Sequence, residues 1–131
     1  MLPGSMRARL LWGGVIVALL ALALYYSELL VAAIATSPVP RTAASVDRGQ
    51  VLWKQYCEVC HGTDGRGDGQ LAASLPKRPK DLTKIALPPI FPDGIVAYRI
   101  ANGVGVMPAW KSVLNTQDTW DLVHFIRSKG R

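Results

Sequence analysis

Apolar and polar positions along this chain follow two different rhythms. From Leu10 to Tyr26 (LLWGGVIVALLALALYY) there is no charged residue, and after Ser27 and Glu28 the apolar run resumes through Ala35. Arg7 and Arg9 ahead of the run and Ala33-Ile34-Ala35 behind it would also suit a signal peptide. The apolar centre of a signal peptide, however, is about 7 to 15 residues long, whereas a membrane-spanning helix needs about 20. The length therefore predicts a retained single-span anchor over residues 1–35, touching the lipid bilayer through residues 10–35. Trp12 and the pair Tyr25, Tyr26 fall near opposite ends of the span, as interfacial aromatics do. Pro38 and Pro40 then interrupt helix formation, and TSPVPRTAAS, residues 36–45, reads as a tether.

Residues 46–131 show a helical rhythm instead. Gly49, Leu52, Trp53, Tyr56 and Cys60 recur on one face of a helix expected from Asp47 to Cys60. A glycine inside a helix costs about 1 kcal/mol against alanine, so Gly49 on the apolar face predicts the close crossing of another helix. A second helix is expected over Asp93 to Asn102, ended by Gly103. A third is expected over Thr116 to Ser128, capped by Asn115 or Thr116. It buries Leu122, Phe125 and Ile126 and leaves His124 off that face, partly exposed. No stretch alternates as a strand would, so the fold class is all-α: a small helical module preceded by a single transmembrane helix.

Composition changes this picture in one respect. Half of the 131 residues are hydrophobic, but many of them lie in the anchor. The module left over is small, and domains of that size often rely on disulfides, metals or cofactors. The chain has two cysteines, Cys57 and Cys60, in CEVCHG, followed at once by His61. A structural zinc site needs four ligands, and beyond the cysteines only His61 and His124 remain. A redox dithiol of the thioredoxin kind belongs beside a βαβ pattern, which is absent. A disulfide across two residues would constrain little. Covalent c-type haem attachment has Cys-x-x-Cys-His as its signature. Two thiols about one helical turn apart can reach both vinyl groups of one porphyrin, and the next residue can place an imidazole beneath the iron. Cys57 and Cys60 are thus the expected thioether positions and His61 the proximal ligand of one haem c.

The sixth position at the iron then decides the chemistry. Met107, in GVGVMPAW, is the one methionine after the anchor. Gly103 and Gly105 permit a tight loop there and Pro108 stiffens it. His61 and Met107 are the expected metal ligands. Such ligation raises the reduction potential and leaves no open coordination site, which predicts an electron carrier rather than an enzyme.

Over residues 46 to 129 the module resembles the class I mono-haem c-type cytochromes of the small bacterial kind. The resemblance rests on Gly49 and Trp53 before CEVCHG, the GRGDG loop after it, PKDLT at residues 79–83, MPAW, and WDLVHFIR in the last helix. It implies a first and last helix crossing beside the haem, with Gly49 and Trp53 against Leu122 and Phe125. It also implies a haem domain on the periplasmic side of the bacterial cytoplasmic membrane, because the family's haem is attached there. Many relatives have proline where this chain has Gln70, which leaves open the carbonyl that orients His61.

Removing Arg7, Arg9 and Glu28 with the anchor leaves 13 basic and 8 acidic residues, a net +5. No stacking aromatics are interleaved with the basic residues, so nucleic acid is not the expected partner. A patch containing Lys54, Lys77, Lys80, Lys84 and Lys111 would instead steer docking onto an acidic redox partner. Arg78 and Trp110 are further candidates, for the haem propionates. The expected function is single-electron transfer in a respiratory or photosynthetic chain. The protein would act as a tethered shuttle or as an electron-entry subunit, exchanging with a quinol-oxidising complex, a terminal oxidase or a reaction centre. The competing reading is a haem-based sensor or peroxidase with an open or labile distal position.

Overall fold

The computed structural model describes residues 4–85 and 91–130, so Met1–Pro3 and Arg131 at the ends of the expected anchor and module lie outside the described residues. The chain divides into two units, Met1–Val31 and Ala32–Arg131.

Helix α1 runs from Gly4 to Ile34. Its stretch Ala8–Ile34, 27 residues, is long and apolar enough to cross a membrane. At 1.5 Å per residue that is about 40 Å, against a hydrocarbon core of about 30 Å. In the first unit its large apolar side chains are exposed all around the helix, which is compatible with a single-pass membrane anchor.

In the second unit the described residues form helices and no strand: α2 (Ala43–Tyr56), α3 (Glu58–His61), α4 (Leu82–Ile85), α5 (Asp93–Asn102) and α6 (Thr116–Ser128). The bounds of α5 and α6 are those expected from the sequence, whereas α2 begins four residues before Asp47. Its start is set by Thr42, whose hydroxyl accepts from the Ser45 N–H at 3.1 Å while the Ser45 hydroxyl accepts from the Thr42 N–H at 3.3 Å. This reciprocal box satisfies two donors that the first helical turn would otherwise leave unpaired.

The most extensive packing joins α2 to α6. Gly49 sits at the crossing, where any side chain would run into the carbonyl of Asp121 and lie 2.8 Å from the Cβ of Phe125. Trp53, Leu122, Phe125, Ile126 and, from α5, Val96 and Ile100 share one apolar cluster.

Helix α6 is buried from Thr119 through Arg127, not along one face alone. The segment before α2 contributes to this: Ala32 is buried, Ala32 and Ala35 lie against Gly94 of α5, and Val39 packs onto the central cluster. His124, expected to be partly exposed, is only 2% exposed and has its Nδ1 2.8 Å from the Ser45 hydroxyl of α2. Buried polar groups must find partners. Asp121 takes Arg48 at 2.8 Å, and Arg127 takes Asp93 at 2.6 Å together with the Phe91 carbonyl.

Candidate haem site

Helix α2 ends at Tyr56, and Cys57 turns the chain out of it with φ −116° and ψ −36°. The expected continuous helix to Cys60 is thus two helices, with Cys57 at the joint. The Cys57 carbonyl accepts from the N–H groups of Cys60 at 3.2 Å and His61 at 2.9 Å, which closes a single turn carrying both thiols and the imidazole. The glycine-rich loop that follows folds back onto this turn. Gly67 donates to the His61 carbonyl at 2.9 Å, Gly69 to that of Cys60 at 3.2 Å, and Leu71 to that of Val59 at 2.9 Å. From α2, the Trp53 indole N–H donates to the Gly62 carbonyl at 3.2 Å, and its ring lies 5.7 Å from that of His61 and 5.7 Å from that of Phe125.

The PKDLT segment supports the loop from outside. Leu82 N–H donates to the Gly65 carbonyl at 2.7 Å. The Asp81 carboxylate receives the Thr83 hydroxyl at 2.6 Å and the Thr83 N–H at 3.0 Å, bonds that with nearby Lys84 hold it below the usual carboxylate range. Sequence reading did not single out Lys129, yet its ammonium donates to the Thr63 carbonyl at 2.8 Å and lies 4.8 Å from the Phe125 ring. A basic residue ending a helix was visible in the sequence, but its partner 66 positions away was not.

Cys57 and Cys60 are free thiols, each half-buried. Burial first, and the neighbouring Cys60 second, push the Cys57 thiol up to about 12. Thiols used as nucleophiles are shifted the other way, to about 3.5–7.5, so Cys57 is poorly suited to act as the nucleophile of thiol–disulfide exchange. Among the described residues no group of three or more His, Cys, Asp or Glu is placed to hold a metal ion.

Burial lowers the pKa of His61, favouring the neutral imidazole that can donate a lone pair to iron. Its Nδ1 is buried and has no hydrogen-bond partner among the described residues. Gln70, at the position that left the orienting carbonyl open, is exposed. Two free thiols and one imidazole on a single clasped turn fit covalent attachment of a porphyrin.

Met107 lies in the loop between α5 and α6. Its N–H donates to the Val104 carbonyl at 3.0 Å and its carbonyl accepts from the Val104 N–H at 3.1 Å. Gly103 has φ +73°, and a Cβ there would lie 2.5 Å from the Met107 carbonyl oxygen, so glycine is needed both for the backbone angle and for the space. The Met107 side chain is half-buried and packs on the central cluster, as do Cys57, Tyr56 and Trp110. Arg78 is exposed, as are Lys54, Lys77, Lys80, Lys84 and Lys111. His124 belongs to the helix interior with Ser45 and takes no part in this site.

No curated protein matches the chain. Among solved structures, one from the Kuenenia stuttgartiensis reducing HAO-like protein complex Kustc0457/Kustc0458 is similar, with a TM-score of 0.62 and 27% identity over 72% of this chain. The similar region accounts for 47% of that chain, so this protein spans about half the length of that neighbour. The family model described as cytochrome C oxidase, cbb3-type, subunit III matches residues 44–126, which include CEVCHG, the glycine loop, MPAW and most of α6. With the helical fold and the clasped Cys-x-x-Cys-His turn, that match places the chain in the cbb3-type subunit III cytochrome family, as a mono-haem c-type cytochrome with covalent haem c.

Proposed function

We propose that this protein is a membrane-anchored electron carrier whose haem is attached through Cys57 and Cys60 and ligated axially by His61 and Met107. The observation that carries this reading is the placement of Met107. A methionine held by paired backbone bonds to Val104 packs on the same central cluster as Cys57. Methionine paired with histidine raises the potential of a haem and closes its coordination sphere, which suits a carrier and not a catalyst at the iron.

Helix α1 is the anchor in this reading, with the haem module on the periplasmic face of the bacterial cytoplasmic membrane. The two roles open from sequence were a mobile shuttle and a fixed electron-entry subunit. The matched family is named for an oxidase subunit and the structural neighbour comes from a multi-protein complex, so both favour the fixed subunit. Its partners would be membrane redox complexes: a quinol-oxidising complex on one side and a terminal oxidase or reaction centre on the other.

The first test is the optical spectrum of the purified holoprotein, including the weak near-infrared charge-transfer band that marks methionine on ferric haem. The expected result is a band that Met107→Ala abolishes. A wild type lacking the band, whose ferrous form binds carbon monoxide without a lag, would put the sensor or peroxidase reading in its place. Mild detergent extraction separates the two carrier roles, since a fixed subunit leaves the membrane with a stoichiometric partner.

A further inference from the structure

Tyr56 is the last residue of α2 and immediately precedes Cys57; Trp110 follows Met107 by three positions. Their ring centroids are 5.2 Å apart at an interplanar angle of 55°. Both residues are half-buried, and the Tyr56 hydroxyl accepts from the Gln55 side chain at 2.9 Å. The contact therefore joins the end of the helix that carries the Cys-x-x-Cys-His turn to the loop that carries Met107.

The backbone makes no such connection. The Met107 loop is bonded to itself and to α5: Gly103 donates to the Arg99 carbonyl at 2.9 Å, Trp110 to Ile100 at 3.1 Å, and Lys111 to Ala101 at 3.0 Å. Among the described residues no backbone hydrogen bond links residues 103–110 to residues 57–61. Pro108, between Met107 and Trp110, has no N–H to donate. Side-chain packing must hold the two segments at their working separation, and a tilted aromatic pair is a directional form of it.

We infer that Tyr56 and Trp110 are positioning residues: their ring contact holds the Met107 loop against the haem-bearing turn and so sets the occupancy of methionine at the iron. This rests on the proposed ligation by Met107. The hydroxyl of Tyr56 is incidental to the role and its ring is not. Trp110 acts through its side chain toward α2, because its backbone groups are already engaged with α5 and with the N–H groups of Val113 and Leu114.

The experiment compares holoprotein carrying Tyr56→Leu, Trp110→Leu, the double substitution and Tyr56→Phe with wild type and Met107→Ala. Three readings are taken: the near-infrared band of the ferric form, the carbon monoxide association rate of the ferrous form, and the thermal midpoint. An aromatic pair sets an equilibrium by about a factor of two to ten, so each leucine variant should bind carbon monoxide faster by about that factor and lose part of the band. Tyr56→Phe should match wild type, and the double variant should exceed neither single by much, because one contact is removed in all three.

If a leucine variant fails to take up haem, Trp110→Phe, which keeps a ring of shorter reach, should fall between wild type and Met107→Ala in both optical readings. Unchanged band and carbon monoxide kinetics in every haem-loaded Tyr56 and Trp110 variant overturn the inference, as do fully additive effects. A wild type that lacks the band overturns the ligation on which it rests, so the two failures are distinguishable.

Discussion

The Ser45 hydroxyl oxygen and Nδ1 of His124 lie 2.8 Å apart in the interior, joining α2 and α6 across 79 residues of sequence. The same hydroxyl belongs to the capping box that starts α2, so the helix start and the buried histidine form one polar cluster. Burial is the main force lowering the His124 pKa; Arg41 lowers it further, while Asp121 and Asp93 oppose the shift.

That direction gives a pH dependence. His124 is neutral in the fold, while in the unfolded chain it takes up a proton near pH 6.5. Its contribution to stability is complete above that value and declines as the pH falls toward the lower pKa of the folded form. The limiting slope is about 1.4 kcal/mol per pH unit for one proton. The thermal midpoint of the holoprotein should therefore fall between pH 7.5 and pH 5, and His124→Gln should flatten the decline. Parallel curves for the two proteins would show that His124 does not carry the effect.

Asp121 on α6 has a side chain 1% exposed, and its partner Arg48 on α2 is 53% exposed. Arg48 donates at 2.8 and 3.2 Å, and Gln117 adds a third bond at 3.0 Å. Hydrogen bonds to a charged group are worth about 1.5–3 kcal/mol, and a buried charge stripped of its partner costs more than the same pair replaced together. Arg48→Met should lower stability, and Arg48→Met with Asp121→Asn should recover part of it. Denaturant titration of the haem-loaded protein measures both. A double variant less stable than Arg48→Met alone would mean that the carboxylate has enough other partners without Arg48.

The features that could be read in the sequence were those encoded locally. CEVCHG marks the cofactor because the spacing of thiols and imidazole is itself the chemistry, and Gly49 on an apolar face marks a helix crossing because glycine there has no other merit. Gly103 and Asn115 bracket α5 and α6 in the same way. What was missed depends on residues far apart in the chain. His124, Asp121 and Arg127 are polar positions that look like a solvated face until Ser45, Arg48 and Asp93 are brought to them by folding. The start of α2 is hidden for a different reason: Thr42 and Ser45 form a capping box, but they follow Pro38 and Pro40 in a stretch that reads as a tether. Tyr56 is legible as part of an apolar helix face and Trp110 as a candidate for the haem propionates, but nothing local indicates that their rings meet.

Gly103 offers a test of the Met107 loop that leaves every side chain in it unchanged. Its φ of +73° is strained for any other residue, and the space beside it is filled by the Met107 carbonyl. A left-handed backbone costs a non-glycine residue about 1–2 kcal/mol, and relief would come by shifting the loop. Gly103→Ala should therefore weaken the near-infrared band and speed carbon monoxide binding while the covalent haem is retained. An intact band with only a lower thermal midpoint would mean that the loop absorbs the strain away from Met107.

The exposed lysines make a prediction about rate and not about stability. Lys54, Lys77, Lys80, Lys84 and Lys111 are all exposed, and Lys84 already faces Asp81 at 3.6 Å. An exposed ion pair contributes about 0–1 kcal/mol, so no single lysine should control folding. Their summed field acts over about 8–10 Å at physiological salt and mainly governs how often an acidic partner arrives in a productive orientation. Electron transfer to such a partner should slow steeply as ionic strength rises. Lys111→Ala or Lys77→Ala should reduce that slope while leaving the thermal midpoint within error. Stopped-flow rates across a salt series measure it. A rate that is flat or rises with salt would mean that the net positive charge of the module does not face the partner, and that docking depends on the apolar surface instead.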